Sequence, residues 1–118
     1  MDIRHIVRDF LREQGFDAQF TVPADITDGL VTVETMGGGG STPFVRSIVV
    51  NVQCWAATRG RADAACDRAY HALIRTLEGA DPDIVGVYPD EPPHEWDDPD
   101  TLPSWHRSEC SVTVYMNE

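Results

Sequence analysis

The chain lacks lysine altogether, has few cysteines and contains no long apolar segment. Without lysine it cannot form the Gly-Lys-Ser/Thr phosphate loop of P-loop nucleotide-binding proteins. No stretch approaches the roughly 18 to 20 apolar residues of a membrane span, and no apolar signal region follows the first residues. We therefore expect neither membrane insertion nor secretion.

The three cysteines, Cys54, Cys66 and Cys110, are odd in number and widely spaced. They include no C-x-x-C pair, and they are too few for the disulfide framework of a small secreted domain. The simplest interpretation is a reducing compartment in which three buried thiols act as small hydrophobic residues.

Acidic residues outnumber basic ones by 20 to 9, which gives a net charge of −11. This charge repels a phosphate backbone, so nucleic-acid binding by a monomer is disfavoured. All the basic residues are arginines, which suit bidentate pairing with carboxylates, although a codon bias would give the same composition. The length of 118 residues and the 42% hydrophobic content favour a single globular domain over residues 1–118.

Two segments have the apolar spacing of amphipathic helices. Residues 2–14 repeat apolar side chains at i, i+3, i+4, i+7 and i+8, and Gly15 follows as a helix stop. Thr58 is a plausible N-cap for a second helix from Arg59 to Glu78. Small residues in the first half of that helix would let it lie close to a sheet.

Five further segments are β-branched or alternating, and we predict strands over Phe16–Val22, Leu30–Met36, Phe44–Trp55, Ile84–Tyr88 and about Ser108–Met116. Two long connections, 37–43 and 89–104, are expected to be flexible loops of the kind that carry function. The economical arrangement is an α+β fold. It has a single mixed, mostly antiparallel sheet of four to five strands, with both amphipathic helices packed on one face.

No pattern in the sequence predicts a cofactor or a metal site. The four glycines Gly37–Gly40 lead through Pro43 into a strand, which indicates a flexible connection rather than a nucleotide cradle. The 89–104 loop is rich in acids but lacks the D-x-D-x-D-G order of an EF-hand. A solvated acidic loop is the simpler interpretation, and a weak divalent-ion site is the alternative.

No catalytic residues are predicted either. A cysteine nucleophile needs a histidine within hydrogen-bond reach, but His71 lies off the helical face of Cys66. His106 and Cys110 are four positions apart near one strand, too far for direct contact. A dyad assembled from distant parts of the chain is the alternative to this interpretation.

Several residues are instead candidates for contacts with other proteins. Arginines repeat every fourth residue along the first helix as a positive stripe, whose alternative is a solvated face offset by Asp9 and Glu13. Three tryptophans stand at a strand end or beside the acidic loop, where tryptophan is either a core anchor or an interface hot spot. The full candidate set is Arg4, Arg8, Arg12, Gly37, Gly38, Gly39, Gly40, Trp55, Trp96, Asp97, Asp98, Asp100 and Trp105.

The order of the motifs along the chain has a counterpart in a known family. In order, they are Thr21-Val22-Pro23-Ala24-Asp25, Leu30–Thr35, the glycine-rich connection, Val49–Ala56 ending in Gln-Cys-Trp-Ala, an alanine-rich helix, Trp96-Asp97-Asp98-Pro99-Asp100 and Cys110–Tyr115. This order resembles the small tail-terminator, or tail-completion, proteins of long-tailed bacteriophages. The resemblance covers nearly the whole chain, and its specificity lies in the order rather than in any one motif.

The resemblance implies an α+β subunit of a ring, usually a hexamer, on the head-proximal end of the phage tail. The ring would stop polymerisation of the tail tube and dock the head-completion or connector protein, with DNA only passing through its bore. It implies no cofactor, no membrane and assembly in the host cytoplasm. Other head–tail joining proteins are similar in size. The alternative from a different class is a small cytosolic α+β enzyme or ligand-binding domain using the Cys66/His71 region or the acidic loop.

Overall fold

The structure is a computed structural model that describes residues 2–37, 45–96 and 105–117. These residues form two helices, five strands and one 3₁₀ turn. In chain order they are α1 (Ile3–Glu13), β1 (Asp17–Gln19), β2 (Leu30–Gly37), β3 (Val45–Ala56), α2 (Arg59–Thr76), a 3₁₀ turn (Leu77–Ala80), β4 (Ile84–Glu95) and β5 (His106–Asn117).

The five strands form one sheet in the order β1-β2-β3-β5-β4. β1 pairs with β2 in parallel, and the other three pairings are antiparallel. The longest ladder joins β3 to β5, from Val45 opposite Asn117 to Ala56 opposite His106. The predicted α+β fold with a mixed, mostly antiparallel sheet is therefore confirmed, at the upper end of the expected strand number.

Both helices begin at a side-chain cap. Asp2 accepts a hydrogen bond from the Arg4 backbone N–H at 2.9 Å, and Thr58 accepts one from the Arg61 N–H at 3.3 Å. Gly15 follows α1 with φ 94°, a left-handed conformation that glycine adopts without steric cost. The expected helix from Arg59 to Glu78 ends at Thr76, because the chain tightens into the 3₁₀ turn that buries Leu77.

One hydrophobic core lies between the helices and a single face of the sheet. α1 packs over β1 and β2, whereas α2 packs over β3, β5 and β4. The fully buried core residues include Val7 and Leu11 of α1, Leu73 of α2, Val50 and Val52 of β3, and Val112 and Val114 of β5. On α2 the buried residues are mostly small, Ala62, Ala65, Cys66, Ala69 and Leu73. Their size allows the helix backbone to approach the sheet closely.

The prediction of a loop over 89–104 is wrong for its first part. Residues 89–95 continue β4 as an edge strand paired with β5, with register shifts between Ile84 and Gly86, Pro89 and Glu91, and Glu91 and His94. Proline lacks the N–H that a central strand needs, but an edge strand has one side without a neighbour and tolerates it. Residues 97–104 of this expected loop, and residues 38–43 of the other, lie outside the described residues.

The first strand is also shorter than expected. β1 covers only Asp17–Gln19 instead of Phe16–Val22, since it pairs with β2 through three residues and the chain then turns toward Gly29. Gly29 has φ 94°, and its N–H donates to the Trp55 carbonyl at 2.9 Å, which fixes the entry into β2. Both edge strands are thus poor templates for pairing with another chain, β1 because it is short and β4 because it contains prolines.

Candidate interaction surface

Among the described elements, no helix covers the second face of the sheet, which we call the open face. Side chains alternate along each strand, so the residues next to the core residues in sequence point to this face. It is polar and aromatic, formed by Thr32, Glu34 and Met36 of β2, by Val49, Asn51, Gln53 and Trp55 of β3, and by Arg107, Glu109, Ser111, Thr113 and Tyr115 of β5. These residues do not form the continuous apolar layer that the core-facing side of the sheet has.

The centre of the open face is a buried hydrogen-bond network. The Thr32 hydroxyl donates to Gln53 Oε1 at 2.7 Å, and Gln53 Nε2 donates to Asn51 Oδ1 at 3.0 Å. The Trp55 indole N–H points to the Thr32 hydroxyl at 3.5 Å. Thr32 is 2% exposed and Gln53 is 8% exposed. Because buried polar groups are costly without partners, these bonds hold the side chains in one arrangement and make the face rigid.

Two of the tryptophans singled out from the sequence meet around one arginine. The Arg107 guanidinium lies 5.0 Å from the Trp55 ring and 5.4 Å from the Trp96 ring, within cation–π range of both. The backbone N–H of Trp96 donates a hydrogen bond to the Arg107 carbonyl at 2.9 Å. Trp55 is 4% exposed, whereas Trp96 is 48% exposed. Trp55 is thus an anchor of the fold, whereas Trp96 leaves about half of its surface exposed to solvent.

Arg59, which the sequence analysis did not single out, connects α2 to the two last strands. Its Nη2 donates to the Arg107 carbonyl at 2.7 Å and to the Ser108 hydroxyl at 2.6 Å. Its Nε donates to Asp63 at 3.2 Å and lies 3.9 Å from Glu95. The i, i+4 spacing of Arg59 and Asp63 was visible in the sequence, but the strand partners were not.

An apolar groove of about 430 Å³ lies at the other end of the open face. It is lined by Val45, Val85, Tyr88 and Tyr115. The two tyrosine rings pack edge to face with centroids 5.6 Å apart, and Tyr88 is 57% exposed. No sequence signal singled out this groove, because its lining comes from three strands that only the sheet register brings together.

Local partners engage all three arginines of the α1 stripe. The guanidinium groups of Arg4 and Arg8 lie 4.5 and 4.6 Å from the Phe20 ring, and Arg12 Nε donates to the Ala18 carbonyl at 2.9 Å. Arg8 Nε also donates to Asp9 at 3.2 Å. These contacts hold the stripe against the segment around β1, so its periodicity is explained by contacts within the chain.

The remaining candidate residues are scattered. Gly37 is the exposed last residue of β2, paired with Ile48, and Trp105 precedes β5 in a half-buried position. Six candidates lie outside the described residues: Gly38, Gly39, Gly40, Asp97, Asp98 and Asp100. Carboxylates also lie on the second half of β4, where Asp90 accepts a hydrogen bond from Ser111 at 2.7 Å and Glu91 lies 3.7 Å from His94.

The part of the chain that the structure describes shows neither a metal-binding cluster nor a membrane-spanning helix. Residues 2–37, 45–96 and 105–117 contain no group of three or more His, Cys, Asp or Glu side chains able to hold a metal ion. Within the same ranges, neither helix has the length and apolarity to cross a bilayer. No protein-family model matches the chain, and no curated protein matches it either.

Proposed function

We propose that this chain is a structural subunit of a phage tail, of the tail-terminator type. Copies of it would form a ring, a hexamer by the resemblance, at the head-proximal end of the tail. The ring would stop growth of the tail tube, dock the head-completion or connector protein and let DNA pass through its bore. The function involves no catalytic step and no cofactor, and the protein would be assembled into virions in the host cytoplasm.

The observation that carries this proposal is the order of motifs along the chain. An α+β fold is shared by proteins of many functions, so the fold alone assigns none of them. The open face supports the proposal physically, since a rigid polar platform with the exposed Trp96 at its edge is suited to binding another protein surface. The net charge of −11 is compatible with a bore through which DNA passes without adhering.

A ligand-binding domain is the second candidate, and one observation favours it. The groove lined by Val45, Val85, Tyr88 and Tyr115 has a volume of about 430 Å³, within the range of small-molecule sites. Light scattering of the purified chain separates the two candidates. A ring favours the tail protein, whereas a stable monomer whose groove takes up a small apolar molecule favours the binding domain.

The decisive experiment is deletion of the gene in a phage that encodes this chain. We expect tails of abnormal length that do not join filled heads, because nothing would stop the tube or dock the connector. Electron microscopy of lysates measures both properties. The matched control supplies the wild-type chain from a plasmid and should restore normal virions. Normal-length tails on filled heads in the uncomplemented deletion would contradict the proposal.

A further inference from the structure

A second groove lies on the helix side of the sheet, between α2 and the segment that leads into β2. It has a volume of about 270 Å³ and is lined by Asp28, Arg61 and Arg68 together with four glycine or alanine residues. The small residues leave room for a side chain of another molecule, and the two arginines give the lining a net positive charge. We call it the arginine groove.

The two arginines of this groove differ in their partners. Arg61 Nη1 donates to Asp28 at 2.7 Å. The Arg68 guanidinium instead lies 5.2 Å from the Phe16 ring, and no carboxylate pairs with it in the part of the chain that the structure describes. Stacking on a ring occupies one face of a guanidinium and leaves its in-plane N–H groups for a carboxylate. The exposed Arg75 follows after another seven residues, almost two helical turns, and extends the positive charge along α2.

The arginine groove and β4 lie on opposite flanks of α2. Arg59 and Arg61 are two positions apart, so they point to different sides of the helix. Arg59 donates to Ser108 of β5 at 2.6 Å and lies 3.9 Å from Glu95 of β4, whereas Arg61 contacts Asp28 just before β2. Because β3 and β5 separate β2 from β4 in the sheet, the arginine groove lies away from β4 of its own chain.

The second half of β4 carries the opposite charge. This strand includes Asp90, Glu91 and Glu95 but no arginine, and we call these three residues the acidic edge. The side chains of Glu91 and Glu95 are each 63% exposed, and β4 is the last strand of the sheet. Copies of this chain carry 20 acidic residues and only 9 basic ones, so most of their surfaces repel each other. An arginine surface therefore selects where two copies touch.

We propose that the arginine groove of one copy binds the acidic edge of a second copy, with Arg68 facing Glu91. Arginine recognises a carboxylate through two parallel hydrogen bonds, which fixes the orientation of the contact. The two surfaces are different and lie on opposite flanks, so the contact is head-to-tail and leaves one groove and one edge free for further copies. Such contacts close into a ring when the rotation between copies fits. The inference rests on the proposed function and names the surfaces that join its subunits.

The test reverses one charge on each surface and measures self-association of the purified full-length chain by sedimentation velocity. We expect the wild-type chain to associate at low salt and less at high salt, since salt screens exposed charges. Arg68→Glu and Glu91→Arg should each weaken self-association about 100-fold, because each brings like charges together. An equimolar mixture of the two variants should associate like the wild type, because every reversed surface then meets one of opposite charge.

The matched control is Arg46→Glu, which changes the net charge as Arg68→Glu does. Arg46 is exposed at the other end of β3 from Ala56, so this variant should associate like the wild type. Arg68→Glu adds negative charge and Glu91→Arg removes it, so a general effect of net charge cannot weaken both. Circular dichroism checks the fold. If a reversal does not fold, Arg68→Gln and Glu91→Gln replace the pair and should each weaken association about 10-fold.

Three results would overturn this contact: a wild-type chain that is monomeric at low salt, variants that associate like the wild type, or reversal variants whose mixture associates no better than either alone. None of these results decides the proposed function, because the gene deletion tests it without reference to these surfaces. Conversely, abnormal tails in the deletion would leave the contact to be decided by sedimentation.

Discussion

Asp2 stabilises the beginning of α1 through its carboxylate. It accepts the Arg4 backbone N–H at 2.9 Å, and this hydrogen bond is the main cause that lowers the pKa of Asp2 below 3.8. The Arg4 guanidinium and His5 lie within 3.5 and 3.2 Å of the same carboxylate. A lowered pKa in the folded state means that the stabilisation is present above the unfolded pKa. It is lost as the pH falls through the folded pKa.

We expect Asp2→Ala to lower the free energy of unfolding by about 1 kcal/mol at pH 7, because the helix loses its N-cap. Asp2→Asn is the matched control and should retain most of the stability, since asparagine caps as well as aspartate. Urea denaturation measures both. The difference between wild type and Asp2→Ala should shrink below pH 3.8, and equal stabilities at pH 7 would contradict the assignment.

Arg59 and Arg61 provide a comparison between a partly buried and an exposed arginine on one helix. Arg59 is 24% exposed and bonds to Asp63, Ser108 and a strand carbonyl, whereas Arg61 is 69% exposed and pairs with Asp28. We expect Arg59→Ala to cost about 1–3 kcal/mol, because its partners lose charge-assisted bonds. Arg61→Ala should cost about 0–1 kcal/mol. If chemical denaturation gave the same loss for both variants, the contacts of Arg59 would add nothing to the free energy of unfolding.

At the scale of elements, the spacing of apolar residues predicted the first helix and the long central strand. It could not predict where a strand ends when that depends on pairing with another strand. The helix predicted over 2–14 is observed at Ile3–Glu13, and the long central strand predicted over Phe44–Trp55 is observed at Val45–Ala56. β4 was predicted to end at Tyr88, since prolines and acids are typical of loops. It continues to Glu95 because β5 offers a partner, and such long-range pairing leaves no local signal.

The prolines of β4 protect the sheet edge against pairing with another chain. Replacing Pro92 and Pro93 together restores two backbone N–H donors at this edge of the sheet, within the register shift between Glu91 and His94. We expect Pro92→Val/Pro93→Val to form larger, polydisperse assemblies, detected by light scattering. Pro82→Ala, before the strand, should leave the size distribution unchanged. A double variant with the wild-type distribution would contradict this role of the prolines.

At the scale of the whole molecule, the sequence indicated which residue types would form contacts but not how they combine. It singled out Trp55 and Trp96, yet their meeting around Arg107 depends on the β4–β5 register and was not predictable. The spacing of the arginines along α1 was visible in the sequence. Their contact with Phe20 was not, because Phe20 follows β1 in an irregular segment without a periodic pattern. The groove between Tyr88 and Tyr115 was missed for the same reason.

Trp96 tests whether the open face makes contacts in an assembled tail. Its ring is 48% exposed and stacks on Arg107 at the edge of the sheet, so truncation removes little of the core. We expect Trp96→Ala to fold normally by circular dichroism. If Trp96 is an interface hot spot, each contact weakens by about 2 kcal/mol, or about 30-fold, and a ring repeats that loss at every subunit.

Complementation of the gene deletion measures this effect as the yield of phages with heads joined to tails. Val22→Ala is the matched control, because Val22 is 44% exposed but lies between β1 and β2, at the opposite edge of the sheet from β4. The control should complement like the wild-type chain, whereas Trp96→Ala should not. Full complementation by Trp96→Ala would show that Trp96 is not a hot spot of the subunit, tube or connector contacts.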